Sequence, residues 1–190
     1  MSEYQEYTWN KEETAAHKYL YPTLIQLLNK KINKIILDIG CGNGFIANKL
    51  IKDGYNVYGI DASISGIEAA RATNPDSFFI QDTNSNKLPK ALNSIKFDTI
   101  ISTEVIEHLY NPREYINLCR SILRKNKSGQ LIISTPYHGY LKNLLLAITG
   151  KLDKHFNALR DGGHIKFWSK NTLVKLNLWK SMFIKAVYKR

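Results

Sequence analysis

The stretch KIILDIGCGNGFIANKL, residues 34 to 50, constrains this chain more than any other. An apolar run of strand length breaks into Gly40, Gly42 and Gly44 and then passes into a helical pattern. Glycine has no Cβ and accepts positive φ, so this turn can be tight and a ligand can press on its backbone. A strand that is apolar without interruption is covered on both faces, as in a parallel sheet. The helix that follows offers unpaired N–H groups and the positive end of its dipole to whatever sits above the turn.

The rest of the sequence keeps the same rhythm, with short apolar runs alternating with helical patterns. NVYGID (56 to 61), SFFIQD (77 to 82), KFDTIIST (96 to 103) and GQLIISTP (129 to 136) read as further strands, and KSMFIKAVYKR (180 to 190) as a last one. A helix from about Asn43 to Asp53 ends at Gly54, which suits a left-handed cap. Ser63 caps a second helix that runs to about Thr73, and Asn111 with Pro112 opens a third. Residues 10 to 29 read as one or two amphipathic helices interrupted near Pro22. YLKNLLLAITG (140 to 150) reads as an inserted apolar helix, and SKNTLVKLNLW (169 to 179) as a helix capped by Ser169.

At 190 residues the chain suits one domain with a real core, and 1–190 is taken as a single unit. Residues 1 to 30 form an N-terminal helical lid in this reading, and 137–168 an inserted lid or substrate region. No stretch reaches the roughly 20 apolar residues of a membrane span. The acidic, polar beginning is unlike a secretory signal. Two cysteines, Cys41 and Cys119, make no disulfide framework, which points to a reducing, cytoplasmic setting. The formal charge of +11 is uneven: residues 111 to 190 hold 16 basic against 3 acidic side chains. A basic half suits an anionic partner, but these lysines are scattered rather than clustered, so nucleic acid is not expected.

The glycine spacing is GxGxG rather than the GxGxxG of a dinucleotide turn. Asp38 stands two residues before it, where a carboxylate suits a cationic part of a ligand better than a pyrophosphate. Asp61 ends the second strand, where an acid can accept both hydroxyls of a ribose; capping the next helix is its alternative role. Asp82 ends the third strand within reach of an adenine amino group, or is simply a turn residue.

Together these residues resemble the class I S-adenosylmethionine-dependent methyltransferases, in particular the small-molecule branch that includes the ubiquinone-pathway O-methyltransferases. LDIGCGNG is similar to that family's cofactor loop, GIDAS to its ribose-binding segment, and FDTIISTEVIEHL to its fourth strand and following turn. The resemblance implies an α/β fold: a doubly wound, mostly parallel Rossmann-like sheet of six to seven strands, helices on both faces and an antiparallel C-terminal strand. It implies S-adenosyl-L-methionine as cofactor, lined by Asp38, Gly40, Cys41, Gly42 and Gly44 at its methionine part. Asp61 and Ala62 would meet the ribose, Asp82 and Thr83 the adenine, and Glu104 the region of the sulfonium.

The implied reaction is in-line methyl transfer to a small molecule, with O-methylation of a hydroxyl favoured. A hydroxyl acceptor benefits from a base, and histidine is the usual choice. His108 lies where the fourth strand ends, and His164 in the glycine-flanked loop RDGGHIKFWS; with Glu104 they are the catalytic candidates. His138, after the fifth strand, is a weaker candidate, and His17 and His155 read as surface or lid residues. Glu104, Glu107 and His108 have helix spacing that could hold a metal, but a carboxylate–histidine hydrogen bond explains it equally, so no metal site is assigned. Tyr4, Tyr7 or Trp9 are expected to help close the site. The partners expected are a small, partly apolar acceptor and either no second copy or one; residues 140 to 156 read as a lid over that acceptor, with shallow contact with a membrane surface as the alternative.

The C-terminus departs from the family pattern. Relatives end with a helix, a strand, a loop and a final antiparallel strand, whereas here about one strand and loop are missing, shortening the terminal hairpin. Two other readings stay open: a non-catalytic S-adenosylmethionine-binding protein, and a nicotinamide-dependent oxidoreductase, which the glycine spacing and Asp38 disfavour.

Overall fold

The computed structural model describes Trp9, residues 13 to 82, Ser85, residues 87 to 124, 129 to 156 and 162 to 176, and the backbone of 183 to 189. In chain order the elements are α1 (Ala15–Leu27), β1 (Ile35–Ile39), α2 (Phe45–Lys52), β2 (Asn56–Asp61), α3 (Ile64–Arg71), β3 (Phe78–Ile80), β4 (Thr99–Thr103), α4 (Pro112–Leu123), β5 (Gln130–Pro136), α5 (Tyr140–Ile148), α6 (Leu152–His155), α7 (Lys170–Leu176) and β6 (Phe183–Lys189). Among the described residues the six strands form one sheet in the order β3-β2-β1-β4-β5-β6.

Every neighbouring pair is parallel. That corrects the expectation of an antiparallel C-terminal strand: β6 runs parallel to β5 along its length, from Gln130↔Phe183 to Pro136↔Lys189. Among the described residues only helices stand between β5 and β6. An antiparallel edge needs a preceding strand to fold back from, whereas a strand reached through helices re-enters the sheet in the same direction.

Side chains alternate across the sheet and divide the core in two. Leu37 and Ile39 of β1, Ile100 of β4, and Leu131 and Ile133 of β5 pack with Tyr115, Ile116, Cys119 and Leu123 of α4 and with Leu173 of α7. Ile36, Val57, Ile101 and Ile132 point the other way, onto Leu20 and Leu24 of α1, Ala47 and Leu50 of α2 and Ile67 of α3. Each fully buried Ile or Leu contributes about 1.5–3 kcal/mol, so the interleaving fixes the strand register firmly.

The helix signals behave largely as their chemistry requires. Ser63 Oγ accepts from Gly66 N–H, and Asn111 Oδ1 accepts from Glu114 N–H ahead of Pro112. Ser169 and Thr172 exchange hydrogen bonds at the start of α7. The expected break at Pro22 does not occur, because α1 is one helix with Pro22 inside it. Pro22 lacks the N–H that would reach the Lys18 carbonyl, and next to it Thr23 Oγ1 donates to the Tyr19 carbonyl at 3.0 Å.

The N-terminal rim of the sheet is tied by buried polar groups. Asn33 Nδ2 donates to Thr99 Oγ1 at 2.6 Å and to Gln130 Oε1 at 2.9 Å, linking the entries to β1, β4 and β5. Asp98 Oδ2 accepts from the N–H groups of Lys34 and Ile35, both at 2.9 Å. Replacing Asn33 with Ala should therefore cost about 1–3 kcal/mol, since it leaves Gln130 Oε1 without its donor while Thr99 Oγ1 keeps its bond to Asp98 Oδ1. Urea denaturation checks this; a loss below about 0.5 kcal/mol would show that these bonds contribute little.

Candidate functional site

The strand order turns back between β1 and β4, and in open α/β sheets ligands bind in the crevice at such a point, beyond the carboxyl ends of the strands. Two turns meet there. Gly40 adopts φ 76°, and a Cβ on it would lie 2.3 Å from Val105 Cγ2, just past β4. Gly42, at φ 54°, sits against the Trp9 indole, where a Cβ would come within 2.7 Å of the ring. Gly44 is the left-handed cap of α2. The turn is held down by Gly40 and Cys41 N–H groups donating to the Ile60 carbonyl at 2.8 and 3.1 Å.

Asp61 braces the same turn. Its Oδ2 accepts from Gly42 N–H at 2.7 Å and its Oδ1 from Ser63 N–H at 2.8 Å. The sequence showed an acid at a strand end, but nothing in its spacing shows that this carboxylate joins the glycine turn to the start of α3. Ala62, half-buried, lies between Asp61 and Ser63. Asp82 lies at the same end of the sheet, two residues beyond Ile80, which pairs with Asp61. Thr83, like Tyr4 and Tyr7, lies outside the described residues.

Asp38 is the carboxylate aimed into the turn. It is 1% exposed, and Oδ1 has no hydrogen-bond partner among the described residues. Burial and, secondarily, the nearby Asp61 push its carboxyl up to about 8. Burial likewise raises the Cys41 thiol, with Asp38 and Asp61 adding to it, so Cys41 fills space rather than acting as a thiolate.

Beyond β4 the backbone is strained. Glu104 has φ 57°, the only positive φ at a non-glycine residue among those described. Its N–H donates to both O and Oγ of Ser134 at 3.1 Å, and Ser134 Oγ donates to Glu104 Oε1 at 2.9 Å. This left-handed kink leads into a 3-10 turn at Ile106–His108, so Glu104, Glu107 and His108 do not share an α-helical face. The ligand set weighed from helix spacing is therefore not assembled. What is assembled instead is Glu107, His108 and His164, whose ligand atoms all lie within 4.8 Å of one another.

Glu107 is the centre of that group. It is 1% exposed, and its Oε2 accepts from Thr135 Oγ1 at 3.0 Å. Its Oε1 lies 4.0 Å from His164 Nε2. Burial first, and repulsion from Glu104 second, push its carboxyl up to about 8. The glycine-flanked loop reaches it because the Ile165 and Lys166 N–H groups donate to the Glu107 carbonyl at 3.0 and 2.9 Å. His108 Nδ1 bonds the Gly163 carbonyl at 3.2 Å, and its ring meets that of His164 edge-on at 5.0 Å. Both catalytic histidine candidates thus sit together at the mouth of β4, whereas Glu104 faces Ser134. Of the others, His17 stacks on Phe45 at 4.5 Å and accepts from Thr14 N–H, a structural role.

The methyltransferase domain family matches residues 12–178 of this chain. The chain belongs to that family. Its sequence and fold are those of a class I S-adenosylmethionine-dependent methyltransferase domain. A ubiquinone biosynthesis O-methyltransferase from Histophilus somni is 35% identical over 126 residues, 61% of this chain and 52% of that protein. One from Rickettsia conorii is 36% identical over 129 residues, covering 63% and 41%. The chain thus spans about half the length of the curated relatives it matches. A magnesium protoporphyrin IX methyltransferase from Synechocystis PCC 6803, solved with S-adenosylhomocysteine (SAH), shares the fold: TM-score 0.61, 20% identity, 85% of this chain and 71% of that one.

The site suits this cofactor on its own terms. The Asp38 oxygen, buried and without a hydrogen-bond partner among the described residues, suits a cationic group of a ligand.

Asp38 and Glu107 both have folded-state carboxyls raised far above their unfolded values near 4. Each contributes stability that is complete below pH 4 and is lost as pH rises through about 8. Melts of the cofactor-free chain should therefore fall steadily from pH 5 to pH 8, and Asp38→Asn should make that slope shallower. An unchanged slope in the variant would mean that Asp38 ionises normally.

Proposed function

We propose that the chain transfers a methyl group to a hydroxyl of a small, partly apolar molecule. The observation that carries this reading is one crevice with a buried, unsatisfied Asp38 on the β1 side and a Glu107–His164 pair on the β4 side. The bound cofactor supplies an electrophilic methyl on a good leaving group. The chain then has to align the acceptor, keep water out and remove one proton.

Asp38 fits the cofactor's ammonium group, and the glycine turn beside it fits the methionine part. Asp61 fits the ribose and Asp82 the adenine. His164 fits the proton-accepting role because Glu107 lies behind it, 4.0 Å from Nε2, and in its ionised form favours the imidazolium once the proton arrives. His108 steadies the loop that carries His164. At this site an amine acceptor gains less from such a base, so a hydroxyl is the reading the pair supports.

A second reading is favoured by one observation, the approach of Glu107, His108 and His164 ligand atoms to within 4.8 Å. These donors suit a divalent ion that lowers the pKa of a bound hydroxyl. Support for a covering element comes from α5 and α6, which bury no residue of their own and expose Leu141, Leu145 and Ile148. We infer that residues 137 to 156 and 162 to 168 cover an apolar acceptor, and that the lysines beside them favour an acidic membrane surface. Among the described residues no helix is long and apolar enough to cross a membrane.

Methyl transfer from labelled S-adenosylmethionine to a panel of hydroxylated metabolites tests the reading. With the base at work, His164→Gln lowers kcat by roughly 100-fold or more while SAH affinity stays unchanged, and chelators have no effect. Loss of turnover on chelation, restored by magnesium or manganese, selects the metal reading. SAH binding without turnover on any acceptor defeats both.

A further inference from the structure

One buried side chain at this mouth has no role so far. His138 lies just past β5 and is 9% exposed. Its backbone N–H donates to the Trp168 carbonyl at 2.9 Å, which fixes where the ring enters the structure. Yet neither Nδ1 nor Nε2 has a hydrogen-bond partner among the described residues. A neutral imidazole carries one donor and one acceptor, and leaving both unmade while buried is costly. Native structures rarely tolerate this without a reason.

The surroundings suggest the reason. The His138 ring is enclosed by rings rather than by polar groups: Phe167 at 5.0 Å, Phe156 at 5.6 Å, His155 at 6.0 Å and His164 at 6.4 Å between centroids. His155 ends α6 and Phe156 follows it. α6 buries none of its own residues, and its neighbour α5 likewise buries none, so these rings rest on His138 without being anchored in the core. Phe167, by contrast, belongs to the loop tied to Glu107 and is part of the fixed wall. A loosely held aromatic element therefore lies over a fixed imidazole whose hydrogen-bonding capacity is unmet.

We propose that His138 is the acceptor-recognition residue, and that the acceptor's flat ring displaces Phe156 and His155 and hydrogen-bonds through a hydroxyl to the imidazole. This rests on the small-molecule methyl-transfer reading and adds to it where the acceptor lies and what it must offer. Phe167 supplies one face for the ring. His164 and Glu107 lie along the same wall, so a second oxygen of the acceptor is presented to them. Burial, with Lys142 and His155 contributing, pushes His138 down to about 4, so at neutral pH the imidazole is uncharged and both donates and accepts, as a hydroxyl does. The resting arrangement keeps water from the imidazole at the expense of two missing bonds, and acceptor binding restores them.

Phenol and toluene, which differ at one substituent, serve as probes by ligand-observed NMR on the SAH-loaded chain. The wild-type chain should prefer phenol by about tenfold, the worth of one hydrogen bond to a buried group. His138→Phe should bind both equally, keep its SAH affinity, and melt a few degrees higher because two unsatisfied groups are gone. His138→Gln should regain part of the preference. With any turned-over acceptor, His138→Phe should raise KM more than it lowers kcat. A lower melting temperature for His138→Phe, or no preference for phenol in the wild-type chain, would overturn the proposal. Failure of methyl transfer with every acceptor, alongside the expected probe preference, would instead fault the reaction and leave the recognition role standing.

Discussion

Everything at the mouth of the sheet depends on how closely the turn after β1 approaches the exit from β4. At Gly40 the gap is too small for a single methyl group, because Val105 already fills it. That contact sets the crevice width, and both adjoining backbones pay for it in conformation: the turn takes positive φ, and Glu104 is held left-handed by Ser134. At Glu104, which is not a glycine, such strain costs of order 1–3 kcal/mol and persists only where the surroundings overdetermine it. Asp61 holds the turn on one side, and the β4–β5 ladder holds Glu104 on the other.

Buried charge follows from the same geometry. Asp38, placed by the alternation of β1, and Glu107, placed by the turn after β4, are both removed from water, and both carboxyls rise to about 8. Two acids held near neutrality on opposite sides of one cleft are unfavourable for a protein that only has to stay folded. Under the proposed function one faces a ligand's ammonium group and the other backs an imidazole that takes a proton.

Local chemistry made part of this legible in the sequence. Ser63, Asn111 and Pro112 announce helix starts through bonds reaching only a few residues, and the glycine turn announces itself by spacing. Asp38 and Asp61 were legible as acids flanking that turn for the same reason. The grouping of Glu107, His108 and His164 was not, because it depends on a loop 56 residues after His108 folding back and bonding the Glu107 carbonyl. The helix spacing of Glu104, Glu107 and His108 was misleading, since one left-handed residue breaks the helical phase. The last strand was assigned the wrong direction because orientation depends on what lies between strands, not on the strand's own residues. His138 attracted little weight, since burial without a partner is visible only in three dimensions.

Because all six strands point the same way, the two rims of the sheet have separate occupations. The rim at the strand entries, where Asn33 joins Thr99 to Gln130, has no part in the crevice. Substitutions there can drift, or be engineered for greater robustness, without retuning the chemistry, while the opposite rim can trade one acceptor for another on an unaltered scaffold.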